Sequence, residues 1–149
     1  MSICTFLAAD CPLPSHFPSR DYPIHINIDT GTMDDGGADD HFYLRPFPDT
    51  DLYSSKQHAV ALEWFYYTPG RAKNILSYIE SALSHTDTVE LWLVWLDTFT
   101  EYDERPIIHR FQAAISDLVP QDLQEFCDQK IWNQADSRRP SFYCLTIHP

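Results

Sequence analysis

The apolar positions of this chain change period along its length, and each change marks an element. Ile3 to Ala8 is a short apolar run stopped by Asp10, Cys11 and Pro12, which predicts a first strand. Ile24, Ile26 and Ile28 alternate with His25 and Asn27, the period-2 pattern of a strand over 24–28. His41 to Arg45 predicts a third short strand, closed by Pro46. His58 to Tyr67 predicts a longer one, with Val60, Leu62 and Trp64 on one face and Ala59, Ala61, Glu63 and Phe65 on the other. Thr68 and Pro69 then open a helix, because threonine caps well and proline suits the first helical position. Ala72, Ile75, Leu76, Ile79, Ala82 and Leu83 form its apolar stripe over about 69–84, and His85, Thr86 and Asp87 end it.

Val89 to Leu96 is apolar on both faces except at Glu90, as expected of a central, covered strand. The turn Thr100 to Glu104 leads to Ile107–Ile115, which the pattern predicts to be the antiparallel hairpin partner of that strand. A second helix is expected over about 120–129, burying Leu118, Leu123, Phe126 and Cys127, and a last strand over Phe142 to Ile147. Strands adjacent in sequence and helices grouped together predict an α+β fold, a mainly antiparallel sheet with two helices packed on it. A chain of 149 residues fits one domain, 1–149, that buries about 70% of its unfolded surface. Within it, 10–57 reads as irregular and rich in Pro and Asp, and 58–149 as the regular part. Trp92 and Trp95 have opposite parity, so one anchors the helix-covered core. The other must be covered by the segment 10–48 or left for a partner, and the same logic applies to Tyr66 and Tyr67.

Charge narrows the class of partner. The chain holds 22 Asp and Glu against 10 Lys and Arg, a net charge of −12, and 14% of its residues are aromatic. Such a surface repels phosphate backbones, which argues against nucleic acid, and steers a basic protein towards it. Aromatic residues are what protein interfaces are enriched in. No stretch reaches 18 apolar residues, so no membrane span is expected. The apolar start, Met1 to Ala9, has no basic residue before it, and Cys4, Cys11, Cys127 and Cys144 have no CxxC spacing. The expectation is a cytoplasmic protein with reduced, mostly buried thiols.

Few constellations carry chemistry. The loop Asp29 to Asp40 holds Asp29, Asp34, Asp35, Asp39 and Asp40. Its spacing fails the EF-hand pattern, because Gly31, Met33 and Asp34 stand where ligand, ligand and glycine belong. The loop reads first as a solvated turn, then as an acidic docking loop, and last as a metal site. The metal reading, that of a metal-dependent hydrolase, would use Asp29, Asp39, His25 and His41 if strands 24–28 and 41–45 pair. Cys144 or Cys127 beside His109 would be a cysteine nucleophile, but both sit at apolar-face positions. No GxSxG elbow and no phosphate loop are present. The residues therefore assign no catalytic group, no metal and no cofactor. Glu101, Asp103 and Glu104 flank Tyr102 in the predicted turn, and Arg138 with Arg139 is too small a basic spot for nucleic acid.

The helix 69–84, the strand VELWLVWL, the turn FTEYDE, the strand RPIIHRFQAAI and the helix VPQDLQEFCDQ together span about half of the chain. Their arrangement resembles that of immunity proteins of bacterial toxin systems, including the contact-dependent growth inhibition type with a Whirly-like fold. Asp10 to Asp51 has no counterpart in that pattern. The resemblance implies an antiparallel sheet with two helices and tight binding to a cognate toxin, often a basic nuclease. On this reading the chain is a non-enzymatic module that occludes a basic protein. Asp34, Asp35, Asp39, Asp40, Glu101, Asp103 and Glu104 would be its contacts and Tyr102 its anchor. A self-associating domain that pairs its spare aromatic face is the remaining alternative, and the sequence leaves the oligomeric state open.

Overall fold

A computed structural model describes residues 3–96, 106–129 and 141–149. Its frame is a six-stranded sheet of β1 (Ile3–Ala9), β4 (Phe42–Pro46), β5 (His58–Trp64), β6 (Val89–Trp95), β7 (Ile107–Ala114) and β8 (Ser141–His148), in the order β4-β5-β1-β6-β8-β7. Two further strands, β2 (His25–Asn27) and β3 (Thr32–Asp34), pair with each other in a separate two-stranded sheet. The helices are α1 (Pro69–Leu83) and α2 (Pro120–Cys127). This is the α+β architecture expected, and the predicted helix and strand limits hold to within about three residues.

Pairing is antiparallel except at one edge. Ile107 to Ala114 does not form a hairpin with β6. It lies outside β8 and runs parallel to it, from Ile107 opposite Ser141 to Ala114 opposite His148. A parallel neighbour needs a crossover, and α2 supplies it. The last strand thus takes the place beside β6 that the hairpin reading gave to β7, with Trp92 opposite Cys144.

Strand alternation divides the sheet into two packed faces. Leu7, Ala9, Val60, Val89, Leu91, Leu93 and Ile147 face the helices and bury against Ala72, Ile75, Ile79, Leu123 and Phe126. Phe6, Ala8, Trp92, Val94, Phe142 and Cys144 form a second cluster on the other face. Trp92 is the tryptophan of that second face and is only 1% exposed. The Arg110 guanidinium lies over the Trp92 ring at 5.6 Å, and the segment that follows β4 covers Phe6 and Phe142 beside it. Phe47 stacks on Phe6 at 4.4 Å, and Tyr53 meets Phe6, Phe47 and Phe142 at 5.8–6.1 Å. The short 3₁₀ turn Thr50–Leu52 holds the segment in place, with the Thr50 hydroxyl donating to the Phe47 carbonyl at 2.9 Å. Cover was expected from 10–48; of that stretch Phe47 is the ring that reaches Phe6. The chain before β2 runs elsewhere. His16 forms two backbone hydrogen bonds with Leu44 at the β4 edge, and Tyr78 donates to the Pro14 carbonyl at 2.7 Å.

All four cysteines are free thiols. Burial pushes Cys4 and Cys127 up to about 11 and Cys144 up to about 12, which makes poor nucleophiles of them. Cys144 lies in the second cluster, whereas His109 stacks on Tyr143 with centroids 4.9 Å apart, in register with the opposite face. The Cys144–His109 pair is therefore not assembled. Among the described residues no helix is long and apolar enough to cross a membrane.

If Phe47 roofs the second face, Phe47→Ala should cost about 2–3 kcal/mol, somewhat less than truncating a fully buried phenylalanine. Phe111→Ala, at a ring that is half exposed, should change stability by less than about 0.5 kcal/mol. Urea unfolding of the two variants checks this contrast.

Candidate functional site

The Asp-rich loop and the isoleucine strand belong to one local structure, a hairpin and its root. Ile24 to Asp34 forms the hairpin, with His25 opposite Asp34, Ile26 opposite Met33 and Asn27 opposite Thr32. The Asn27 side-chain oxygen accepts the N–H groups of Asp29 and Thr30 at 3.0 and 3.3 Å, which shapes the turn. Every residue from Pro23 to Asp34 is exposed. By alternation and register Ile24, Ile26 and Met33 share one face, and His25, Asn27, Thr32 and Asp34 share the other. Ile26 is 66% exposed and Ile28, where the turn begins, 90%. Three-residue strands with an uncovered apolar face do not hold themselves together in water, so the fixing must come from the root.

The root is ionic and buried. Arg71, the third residue of α1, is fully buried. Its Nη2 donates to both oxygens of Asp35 at 2.8 and 2.7 Å, its Nε to the Ala38 carbonyl at 2.8 Å and its Nη1 to the Tyr66 carbonyl at 2.9 Å. The Tyr66 ring lies under the guanidinium, 4.7 Å from its carbon. Asp35 also accepts the Gly37 N–H at 3.0 Å, and His41 Nδ1 stands 2.7 Å from it. Gly36 and Gly37 have φ of +86° and +71°, a left-handed pair that residues with side chains resist. Those two glycines turn the chain so that Asp35 points inward.

The neighbouring acids tie the hairpin limbs down. Tyr66 donates to Asp34 at 2.5 Å on the outgoing limb. Asp40 accepts from the Ser19 N–H at 2.9 Å, from the Ser19 hydroxyl at 2.6 Å and from the Tyr22 hydroxyl on the incoming limb. Asp39 sits against the first turn of α1, where a β-carbon on Gly70 would fall on its carboxylate. That first turn has no acid of its own and carries Arg71, so external carboxylates offset a cation placed at the positive end of the helix dipole.

Electrostatics follow these contacts. Burial alone would raise Asp35, but the Arg71 and Gly37 hydrogen bonds and Tyr66 outweigh it and hold the carboxyl at about 2. The Ser19 and Tyr22 hydroxyls hold Asp40 well below the usual carboxylate range. The Tyr66 hydrogen bond lowers Asp34, and the same bond pushes Tyr66 up to about 12.

The sequence-predicted contact residues thus divide. Asp35 is 2% exposed and bound to Arg71, so its carboxylate faces inward and not towards solvent; burial of one charge required burial of its partner. Asp40 is half-buried and spent on Ser19 and Tyr22. Asp34 and Asp39 are exposed, but Asp34 is held by Tyr66 and Asp39 packs on Gly70. Glu101, Tyr102, Asp103 and Glu104 lie outside the described residues, as do Trp132, Arg138 and Arg139. Residues 25–27 pair with 32–34 and not with 41–45, which removes the premise of the metal reading. His25 lies on the hairpin opposite Asp34 while His41 stands at Asp35, and among the described residues no three metal-ligating side chains form a group. The sequence reading missed Arg71 altogether. Its signal was an arginine in the first turn of a helix, beside the apolar position Ala72 and more than thirty residues after the loop of aspartates.

Asp35→Asn should destabilise the fold by about 3–5 kcal/mol, because it leaves the Arg71 charge buried without its counterion. The pH dependence has a fixed sign. Asp35 and Asp40 lie lower in the folded chain than in the unfolded one. The stabilisation from Asp35 is complete above the unfolded carboxylate value of about 4 and is lost as pH falls through about 2, and that from Asp40 is lost at lower pH still. Melting temperatures between pH 5 and 2 should fall for the wild type and show a shallower decline in Asp35→Asn. Compared with known proteins, the chain matches no family model, no curated protein and no solved structure.

Proposed function

We propose that this chain is a non-enzymatic module that binds a basic protein, in the manner of an immunity protein that neutralises a basic toxin by covering it. The observation that carries the reading is the unneutralised charge. Of the described acids only Asp10, Asp35 and Glu63 stand in ion pairs, within a chain of net charge −12. A field of one sign, left uncompensated by the fold's own bases, weakens the compact state by self-repulsion. It is useful where a partner of opposite charge is steered in from solution. The pattern resemblance of the segment 58–129 adds the toxin as the kind of partner. Four free thiols agree with a reducing, cytoplasmic site of action. Occlusion needs only affinity and coverage, and it asks no chemistry of these residues.

The test is capture followed by function. The tagged chain, passed over a lysate of its own host at low salt, should retain one stoichiometric basic protein. The association rate of that purified protein should fall about tenfold or more as salt rises from low to high ionic strength. Expression of the captured protein alone should arrest growth, and co-expression of this chain should restore it. A captured protein whose association ignores salt, or whose expression is harmless, would contradict the reading.

A further inference from the structure

We infer that the β2–β3 hairpin is the docking element of this protein, and that its occupant is an extended, basic, amphipathic segment of another protein. The inference rests on the protein-binding reading above and assigns that binding to an apolar face that the contacts expected from sequence did not include.

The first support is the apolar face itself. Ile24, Ile26 and Met33 lie on one side of the hairpin, Ile28 stands at the tip, and all four are between 48% and 90% exposed. Scattered apolar residues on a surface need no explanation, but four in one two-stranded unit do. None of the four belongs to either core cluster. A two-stranded sheet needs a further layer on its apolar side, and among the described residues the fold supplies none.

The second support is the quality of the mounting. A loop that served only to connect β1 to β4 would not call for a buried arginine, two left-handed glycines and hydroxyl bonds from Ser19, Tyr22 and Tyr66. These contacts hold both limbs at their foot, on α1 and on each other. A pre-organised apolar anchor binds without the cost of ordering it first.

The third support selects the occupant. Asp21 precedes the foot of the hairpin and Asp29 follows its tip, and among the described residues neither carboxylate takes part in a hydrogen bond or ion pair. The stretch 20–40 has Arg20 as its only Lys or Arg. A second copy of this chain would bring like charges together around the apolar contact. A segment carrying lysine or arginine beside its apolar side chains meets both features at once.

The probe is an octapeptide of alternating lysine and leucine, with the matching glutamate–leucine octapeptide as its counterpart. Each is titrated into the labelled full chain while backbone amide shifts are recorded. The lysine peptide should move the amides of 24–34 and the glutamate peptide should leave them in place. Ile26→Asp with Ile28→Asp should abolish the response although it adds negative charge, so its loss would report the apolar anchor and not the field. Asp21→Lys with Asp29→Lys should abolish it with the anchor intact. These positions lie outside both cores, and unchanged melting temperatures would confirm that the variants fold. Shifts confined to other surfaces, or equal shifts with both peptides, would overturn the assignment. So would sedimentation showing a dimer that Ile26→Asp dissociates, since the occupant would then be a second copy. A basic protein captured equally well by wild type and by the Ile26/Ile28 variant would refute the hairpin while leaving the protein-binding reading in place.

Discussion

One buried ion pair governs the part of this molecule that the sheet does not. Arg71 and Asp35 are both fully enclosed, and each is tolerable there only because of the other. Placing a cation in the first turn of α1 opposes the helix dipole, so that turn draws acids from outside the helix. Those acids come from the chain that leaves the hairpin. Gly36 and Gly37 allow the reversal that brings Asp35 inward, Asp39 lies against Gly70, and Asp34 and Asp40 take hydroxyl donors from Tyr66, Ser19 and Tyr22. The pair therefore does two things at once: it satisfies the start of α1, and it fixes the base of an element that has no core of its own.

This arrangement separates two roles that one loop seemed to combine. Density of aspartate suggested a surface offered to a partner, yet most of these carboxylates have internal hydrogen-bond donors. What the loop presents outward is the apolar hairpin it supports. The general surface charge and the local apolar face then act at different distances. Charge acts over roughly a Debye length and sets how often a basic partner arrives. The isoleucines act on contact, through burial worth about 1.5–3 kcal/mol for each side chain fully covered.

Much of the frame was legible from residue pattern because it rests on local periodicity. The stripe of α1, its Thr68 cap and Pro69 start, and the double-sided apolarity of β6 each state their structure within a few residues. Sheet order was less legible. The exchange of neighbours that puts β8 between β6 and β7 depends on a crossover through α2, and periodicity says nothing about which strand lies beside which. The strand Thr32–Asp34 was hidden in a segment whose composition speaks for a turn. The site was the least legible part, since aspartates read the same whether solvated or buried. Only Arg71, more than thirty residues away in sequence, decides the fate of Asp35. The isoleucine alternation at 24–28 was visible from the start, but alternation implies a covered face. That these side chains stay exposed is a tertiary fact.

The central claim is that the Arg71–Asp35 pair holds the apolar hairpin in one fixed pose in the free protein. Backbone ¹⁵N relaxation on the free protein tests it most directly. The account predicts order parameters for residues 24–34 near the rigid-backbone value of about 0.85. In Asp35→Asn, under conditions where the sheet remains folded, they should drop below about 0.6 while β1 and β6 keep theirs. A hairpin already loose in the wild type, or one equally ordered without the Asp35 charge, would contradict the account.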